Sequence, residues 1–301
     1  MRRLPEVGAG GSYRFTRRPT VASKILRQTP NRSNVKGASV GVIGGSGFYK
    51  FMQTKEASRQ ETPYGSPSAT VKLSVVKGKR VAFLPRHGEH HQFPPHAVPY
   101  RANLFALKRL GVERVYGPTA VGSLKPGIKP GDFVVSDQFV NFTNGRKDTY
   151  FDGPETAHVG SADPYCPELR ALVVEASKGL GIKVHTKGTV VVIQGPRFST
   201  RAESRFFRAQ GWDIINMTQY PEAILAREQE MCYANISLVT DYDVGVEGDP
   251  DVKPVSNDEV MRVFNANLEK LRTLLLKAIE LTPAKRSCDC GSAMKNARIS
   301  A

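Results

Sequence analysis

Short aliphatic segments alternate along this chain with longer segments whose apolar residues recur at helical spacing. A chain that keeps switching between a period of two and a period of about 3.6 builds a sheet with helices packed on its faces. The strand candidates are Val40–Ile43, Val71–Val76, Arg80–Leu84, Arg114–Gly117, Phe133–Ser136, Gly188–Ile193 and Ala234–Val239, the second and third joined by a Lys-Gly-Lys turn at 77–79. Among the helix candidates, Asn103–Leu110 is stopped by Gly111. Glu168–Lys178 places Leu169, Leu172, Val173 and Ala176 on one face and is closed by Gly179. Arg201–Gln210, Pro221–Met231 and Asp258–Ile279 follow. The pattern predicts a mostly three-layer α/β domain over residues 39–282.

Residues 1–38 carry nine basic side chains against the single acid Glu6, more than half of the formal charge of +15. The segment lacks apolar periodicity and is expected to be a disordered basic extension. Its composition suits a nucleic-acid arm or an organelle presequence, but a solvated extension or an over-long start site is the simpler reading. No aliphatic run exceeds the length of Val190–Ile193 by much, whereas a membrane span takes about 20 apolar residues. No apolar signal core opens the chain. These features lead to expectations of a cytoplasmic location, with neither membrane nor nucleic acid as a partner. Residues 283–301 form a C-terminal tail with Cys288-Asp289-Cys290. With Cys166 and Cys232 these make four cysteines, none at zinc-finger spacing. The expectation is reduced, mostly buried thiols and no metal, with a disulfide inside the Cys-x-Cys or over long range as the alternative.

Five stretches carry chemistry. Gly41-Val42-Ile43-Gly44-Gly45-Ser46-Gly47 follows the first strand, and its glycines let backbone N–H groups approach an anion while Ser46 adds a hydroxyl. Lys50 stands where a dinucleotide fingerprint needs its third glycine, and no Gly-Lys-Ser/Thr completes a Walker pattern. The loop alone reads equally as a tight turn or a phosphate cradle. Arg86-His87-Gly88, with His90 and His91 behind it, ends another strand. A guanidinium beside an imidazole makes a phosphate clamp, and the histidine spacing matches no zinc register. Thr119-Ala120-Val121-Gly122-Ser123 and Asn216-Met217-Thr218 offer further hydroxyls, in places where α/β sheets bind ligands and where helices are also capped. Last, Asp241 and Asp243 in Thr240-Asp241-Tyr242-Asp243 lie two apart, so a continuing strand projects both from one face. Buried acids need partners. An adenine edge supplies them: its exocyclic amine donates to an ionised carboxylate, and its N7 accepts from a protonated one whose pKa the neighbouring acid raises. An Asx turn closing the strand is the alternative.

Together with Thr62-Pro63-Tyr64-Gly65 and the ten-residue run from Gly195 to Ser204, these motifs occur in an order that resembles the methylthioadenosine phosphorylases, within the trimeric purine nucleoside phosphorylase superfamily, over residues 39–280. The resemblance implies the three-layer α/β/α phosphorylase fold, a central mixed β-sheet flanked by helices. It implies reversible phosphorolysis of S-methyl-5′-thioadenosine to adenine and S-methyl-5-thioribose 1-phosphate, in purine and methionine salvage, by a homotrimer. Phosphate is then a co-substrate, and no cofactor is required. By the same resemblance Ser46, Arg86, His87, Thr119, Ala120 and Thr218 form the phosphate site. Met217 lies under the ribose, and His158 near its 5′ side. Phe198 stacks near the base, which Asp241, Tyr242 and Asp243 read, and Asp241 is the catalytic acid at N7. Val260 and Met261 line the 5′-methylthio pocket, and Ser199 distinguishes 6-amino from 6-oxo purines.

The chain departs from that pattern twice. Asn257 stands where the animal enzymes carry an aliphatic residue near the 5′ group, after a longer loop from Val244 to Pro254. An Asn257 facing the substrate would let adenosine or inosine compete. The Cys-x-Cys tail looks like those of bacterial and archaeal relatives. The rival activities are a 6-oxopurine phosphorylase for inosine, guanosine or methylthioinosine, and a hydrolase. A non-catalytic nucleotide- or RNA-binding protein is the alternative outside the enzymes. A 6-oxopurine would want an amide donor where this chain offers acids.

Overall fold

A computed structural model of the protein describes residues 37–45, 56–246 and 252–299. In chain order the strands are β1 Val40–Gly44, β2 Glu56–Ser58, β3 Val71–Val76, β4 Lys79–Pro85, β5 Arg114–Ser123, β6 Phe133–Val134, β7 Gln138–Phe142, β8 Val184–His185, β9 Thr189–Ile193, β10 Ile214–Asn216 and β11 Cys232–Asp241. The helices are α1 Tyr100–Arg109, α2 Pro167–Leu180, α3 Arg201–Ala209, α4 Gln219–Glu228 and α5 Asn257–Leu281. No helix among the described residues is long and apolar enough to cross a membrane.

The strands form one mixed sheet. Its centre is parallel, β4 beside β1, β1 beside β5 and β5 beside β11. Antiparallel β3 joins β4 through Lys77 and Gly78, whose φ angles of 48° and 79° make a two-residue hairpin turn. Successive side chains enter opposite faces. Val81 and Phe83 of β4 join one apolar cluster, Ala82 and Leu84 the other. Likewise Ala234, Ile236 and Leu238 of β11 separate from Tyr233. The first face is covered by α2 and α5 through Leu169, Val173, Leu271 and Leu274, the second by α1 and α4 through Leu104, Leu107, Ala223 and Leu225. That is the three-layer arrangement expected, and it explains why the central strands read as near-continuous aliphatic runs.

Several boundaries differ from those the sequence predicts. β5 does not end at Gly117 but runs ten residues to Ser123, through a Gly-Pro step that ordinarily interrupts a strand. Tertiary packing overrides the local signal: a Cβ at position 117 would lie 2.3 Å from Tyr233 Oη, so only glycine fits there. α2 passes Gly179 and ends at Gly181, the glycine that adopts the left-handed conformation with φ 64°. The short strands β7 and β10 carry no alternation the sequence pattern could detect. Residues 284–299 pack back on the body, with Met294 and Ala297 in the second-face cluster.

Because β1, β4, β5 and β11 run parallel, their carboxyl ends share one edge of the sheet. The segments after them, and the start of α4, build the site. Two glycines separate fit from flexibility in this frame. Gly117→Ala forces a methyl into Tyr233 and Glu222 and should cost about 1–3 kcal/mol. Gly179→Ala, in the last turn of α2 with open space around it, should gain about 0.5–1 kcal/mol. Calorimetric melting of the two variants checks both signs.

Candidate active site

Arg86 leaves the end of β4 with its amide bonded to Gly44 O at 2.9 Å, and its side chain turns inward until only 2% is exposed. The guanidinium forms a bidentate pair with Glu222 of α4, Nε to Oε2 at 2.7 Å and Nη2 to Oε1 at 2.8 Å. It also donates to Ile43 O at 2.8 Å and Pro118 O at 3.1 Å. Tyr233 Oη donates to the same carboxylate at 2.7 Å. Burial alone would lower the Arg86 pKa, but Glu222 more than offsets it and holds the group charged above its ordinary value. One Nη1 hydrogen is left without a partner among the described residues. Arg86 is therefore a rigid charge aimed by Glu222, not the free clamp its motif implies. Nothing in the sequence pattern singled out Glu222; its signal, an acid inside an apolar helix, becomes readable only when the helix is seen to be buried.

His87 stands next to this charge. Its Nδ1 lies 2.8 Å from Phe93 O, which can only accept, so Nδ1 carries the proton and Nε2 the lone pair. The ring stacks on His91 with centroids 4.5 Å apart. Burial, with Arg86 beside it, lowers the His87 pKa to about 4, so the imidazole is neutral at physiological pH. It can accept a hydrogen bond from a protonated phosphate oxygen but adds no second cation.

The hydroxyl groups are held in one network. Thr119 on β5 accepts from Asn235 Nδ2 at 3.1 Å, and Asn235 is itself held by Gly117 O and Ser237. Asn216 at the end of β10 donates to Ala120 O at 3.1 Å. Its Oδ1 accepts from the amides of Thr218 at 2.7 Å and Gln219 at 2.8 Å, which opens α4. The buried Thr218 and Thr119 and the half-buried Ala120 are thus tied to the strand ends that also hold Arg86. Ser46 lies outside the described residues.

The two acids reach each other by a different route from the one their spacing predicts. β11 slips register after Val239, its ladder ends at Asp241, and Asp243 takes a left-handed φ of 57°. The turn folds back, so that Asp243 N donates to Asp241 Oδ1 at 2.8 Å while Thr240 Oγ1 donates to Oδ2 at 2.7 Å. This is the Asx geometry weighed as an alternative, and it coexists with a paired-acid pocket. Burial, reinforced by the Asp243 and Glu259 charges, raises the Asp241 pKa from 3.8 to about 6. Burial raises Asp243 too, against the nearby Ser204 and Ser199 hydroxyls. Asp243 Oδ2, Ser199 Oγ and Ser204 Oγ are buried together, the hydroxyls close enough to lower the Asp243 pKa but not in well-formed hydrogen-bond geometry with it. Unsatisfied donors and acceptors meeting at one place are costly unless a polar ligand completes them.

The Gly195–Ser204 run supplies the wall opposite. Thr200 and Glu203 form a capping box that starts α3, and Arg197 clamps the same carboxylate at 2.7 and 2.8 Å. From α3, Arg201 and Arg208 donate to the carbonyls of Val244, Tyr242 and Gly245 and so hold the acid turn. Gly195 packs on Met217, whose Sδ would sit 2.7 Å from a Cβ there. Phe198 is 40% exposed, and Met261 on the first turns of α5 is 48% exposed; Val260 is half-buried and Asn257 exposed. The Tyr242 hydroxyl lies 3.4 Å from Pro126 O. His158 is exposed, and its amide is bonded to Ala297 O at 2.7 Å.

The phosphorylase superfamily model matches residues 39–280. The S-methyl-5′-thioadenosine phosphorylase of Pyrococcus abyssi is 55% identical over 85% of this chain and 97% of its own length. The purine nucleoside phosphorylase of Streptomyces coelicolor is 50% identical over 87% and 96%. Among solved structures, methylthioadenosine phosphorylase from Schistosoma mansoni in complex with adenine superposes with a TM-score of 0.80 at 36% identity, covering 86% of this chain and 96% of that one.

Two outcomes follow from the charges. Glu222→Gln leaves the Arg86 charge buried without its counter-ion and should cost about 3–5 kcal/mol in chemical denaturation. Asp241 keeps its proton on folding when the unfolded chain has already lost it, so its burial costs stability as pH rises from the unfolded value of 3.8 through about 6. Asp241→Asn should therefore melt higher than the parent at about pH 7.5, with the gain fading below about pH 4.

Proposed function

The chain belongs to the phosphorylase superfamily, and within it we propose that this protein is a pentosyltransferase that cleaves S-methyl-5′-thioadenosine with inorganic phosphate, releasing adenine and S-methyl-5-thioribose 1-phosphate. The observation that carries this reading is the buried pair Asp241 and Asp243, one raised to about 6, beside the buried hydroxyls of Ser199 and Ser204. That pocket matches the hydrogen-bonding edge of an aminopurine. The thioadenosine activity of the Pyrococcus relative and the adenine held by the Schistosoma structure point to the same base.

The chemistry follows from charge placement. Asp241 in its protonated form donates to purine N7, which lowers the charge the base must carry when the C1′–N9 bond breaks. The ribosyl fragment develops oxocarbenium character, and a phosphate oxygen attacks C1′ to close the new bond. Arg86, Thr119, the Ala120 backbone and Thr218 hold that phosphate, with His87 Nε2 accepting its proton-bearing oxygen. The anion under the ring then stabilises the developing positive charge. Asp243, with Ser199 and Ser204, reads the exocyclic amine. Met217 lies under the sugar, and Val260 and Met261 shape an apolar pocket for the thioether. No metal or organic cofactor enters the step.

The exposed apolar groups extend the reading. Phe142, Phe206, Phe207 and Trp212 form a continuous set of ring contacts, with Phe142 43% and Phe206 49% exposed. An exposed aromatic cluster of this kind fits a subunit interface. A homotrimer that brings His158 of one subunit to the sugar of the next accounts for the exposure of His158, Phe198 and Met261. A cytoplasmic salvage role agrees with these substrates. A second reading, a 6-oxopurine nucleoside phosphorylase, has the Streptomyces relative in its favour.

Comparing methylthioadenosine, adenosine, inosine and methylthioinosine, with and without phosphate, separates these readings. Phosphate-dependent adenine release, fastest from methylthioadenosine, is expected. Preferential hypoxanthine release would overturn the acid pocket, and release that ignores phosphate would overturn phosphorolysis. Asp241→Asn should lower kcat about 10²–10⁴-fold in the same assay.

A further inference from the structure

Away from the crevice, the fold gathers Cys166, Cys232, Cys288 and Cys290, with all four sulfurs within 4.8 Å of one another. Cys166 caps α2, Cys232 opens β11, and the other two come from the C-terminal segment. Cys288 Sγ lies 3.6 Å from that of Cys166 and 3.4 Å from that of Cys232, and all four cysteines are free, none joined to another by the S–S bond of about 2.05 Å that a disulfide requires. A tetrahedral ion with metal–sulfur bonds of about 2.3 Å sets its ligands about 3.8 Å apart, close to these separations. We propose that the four cysteines are the thiolate ligands of a structural zinc ion.

The surroundings suit that role. Cys232 is fully buried, Cys166 1% and Cys290 7% exposed and Cys288 half-buried, and four thiolates fill a tetrahedral sphere, which leaves no open coordination position of the kind a catalytic zinc needs. Cys166 Sγ accepts from Leu169 N at 3.5 Å, and the positive end of α2 faces the same sulfur. Arg286 lies beside Cys232 and Cys288 and offsets part of the charge of a tetrathiolate centre. Glu168, also in the first turn of α2, accepts from the amides of Ser287 at 2.8 Å and Cys288 at 3.2 Å and so aims the Cys-x-Cys turn. Binding displaces the thiol protons to solvent and transfers no electrons. A disulfide would need an external oxidant.

An ion here would clip the C-terminal segment to the body. Beyond the clip, Met294 and Ala297 enter the core, and Arg298 forms a bridge with Ala157, next to His158. The ion is thus a positioning element for a segment the sugar site is proposed to use. The expectation of inert thiols without a metal rested on spacing along the chain, and here three distant segments supply the ligands.

Elemental analysis of the full chain, purified with reductant and without chelator, should find close to one zinc per chain. Alkylation under denaturing conditions without reductant should modify all four cysteines. A mass two hydrogens lighter per bridge, or zinc near zero with free thiols, would overturn the proposal. Cys288→Ser with Cys290→Ser should abolish zinc binding. Should that variant fail to fold, cobalt exchanged into the parent protein gives thiolate charge-transfer bands if the site is tetrathiolate, and their absence would overturn it. These readouts are independent of phosphorolysis, so the two proposals fail separately.

Discussion

The Arg86–Glu222 pair is the contact on which the rest of the site depends. Its atoms touch the ends of β1 and β4, the carbonyl of Pro118 in β5, Tyr233 of β11 and the body of α4. Two charges removed from water are costly unless every lone pair and proton is used. Here Glu222 accepts from Arg86 and Tyr233, and the guanidinium is nearly filled. The pair therefore locks the strand ends in one arrangement while aiming a permanent positive charge at the crevice. A lone arginine on a loop would give the charge without the rigidity.

Around that fixed point the site separates into two electrostatic halves. Near Arg86 the histidine is kept neutral, first by its burial and then by the buried cation beside it. Across the sheet edge, burial outweighs the hydrogen bonds that Asp241 accepts from Thr240 and the Asp243 amide, and Asp241 rises. The same low dielectric thus pushes an imidazole down and a carboxyl up. One half is suited to holding an anion, the other to donating a proton at neutral pH, and the phosphorolysis proposed for this protein needs both.

The succession of the longer strands and helices along the chain and the layered α/β class were legible in the sequence, because apolar period and glycine placement report local conformation and burial directly. Val71–Val76 is bounded as its sequence implies, and Asp241 lies at a buried strand end as its context requires. The misses have physical causes. Gly117 and Pro118 look like a strand break until Tyr233 is packed against them. Gly179 looks like a cap, but the helix carries past it to Gly181, which adopts the left-handed conformation. Asp241 and Asp243 share a pocket through a bulge and a left-handed turn rather than through the pleat.

By itself, then, the sequence determined the class of fold, the motifs that meet at the crevice and the residue types from which phosphate and purine binding are proposed. Tertiary structure alone decided that Arg86 would be spent largely on Glu222, 136 residues away, and that Cys166 would meet Cys288 across 122 residues. It also decided which oxygens of the acid turn remain free. The reason is geometric: periodicity encodes the environment each residue prefers, whereas partners distant in the chain are chosen by strand order and register, which no local pattern contains.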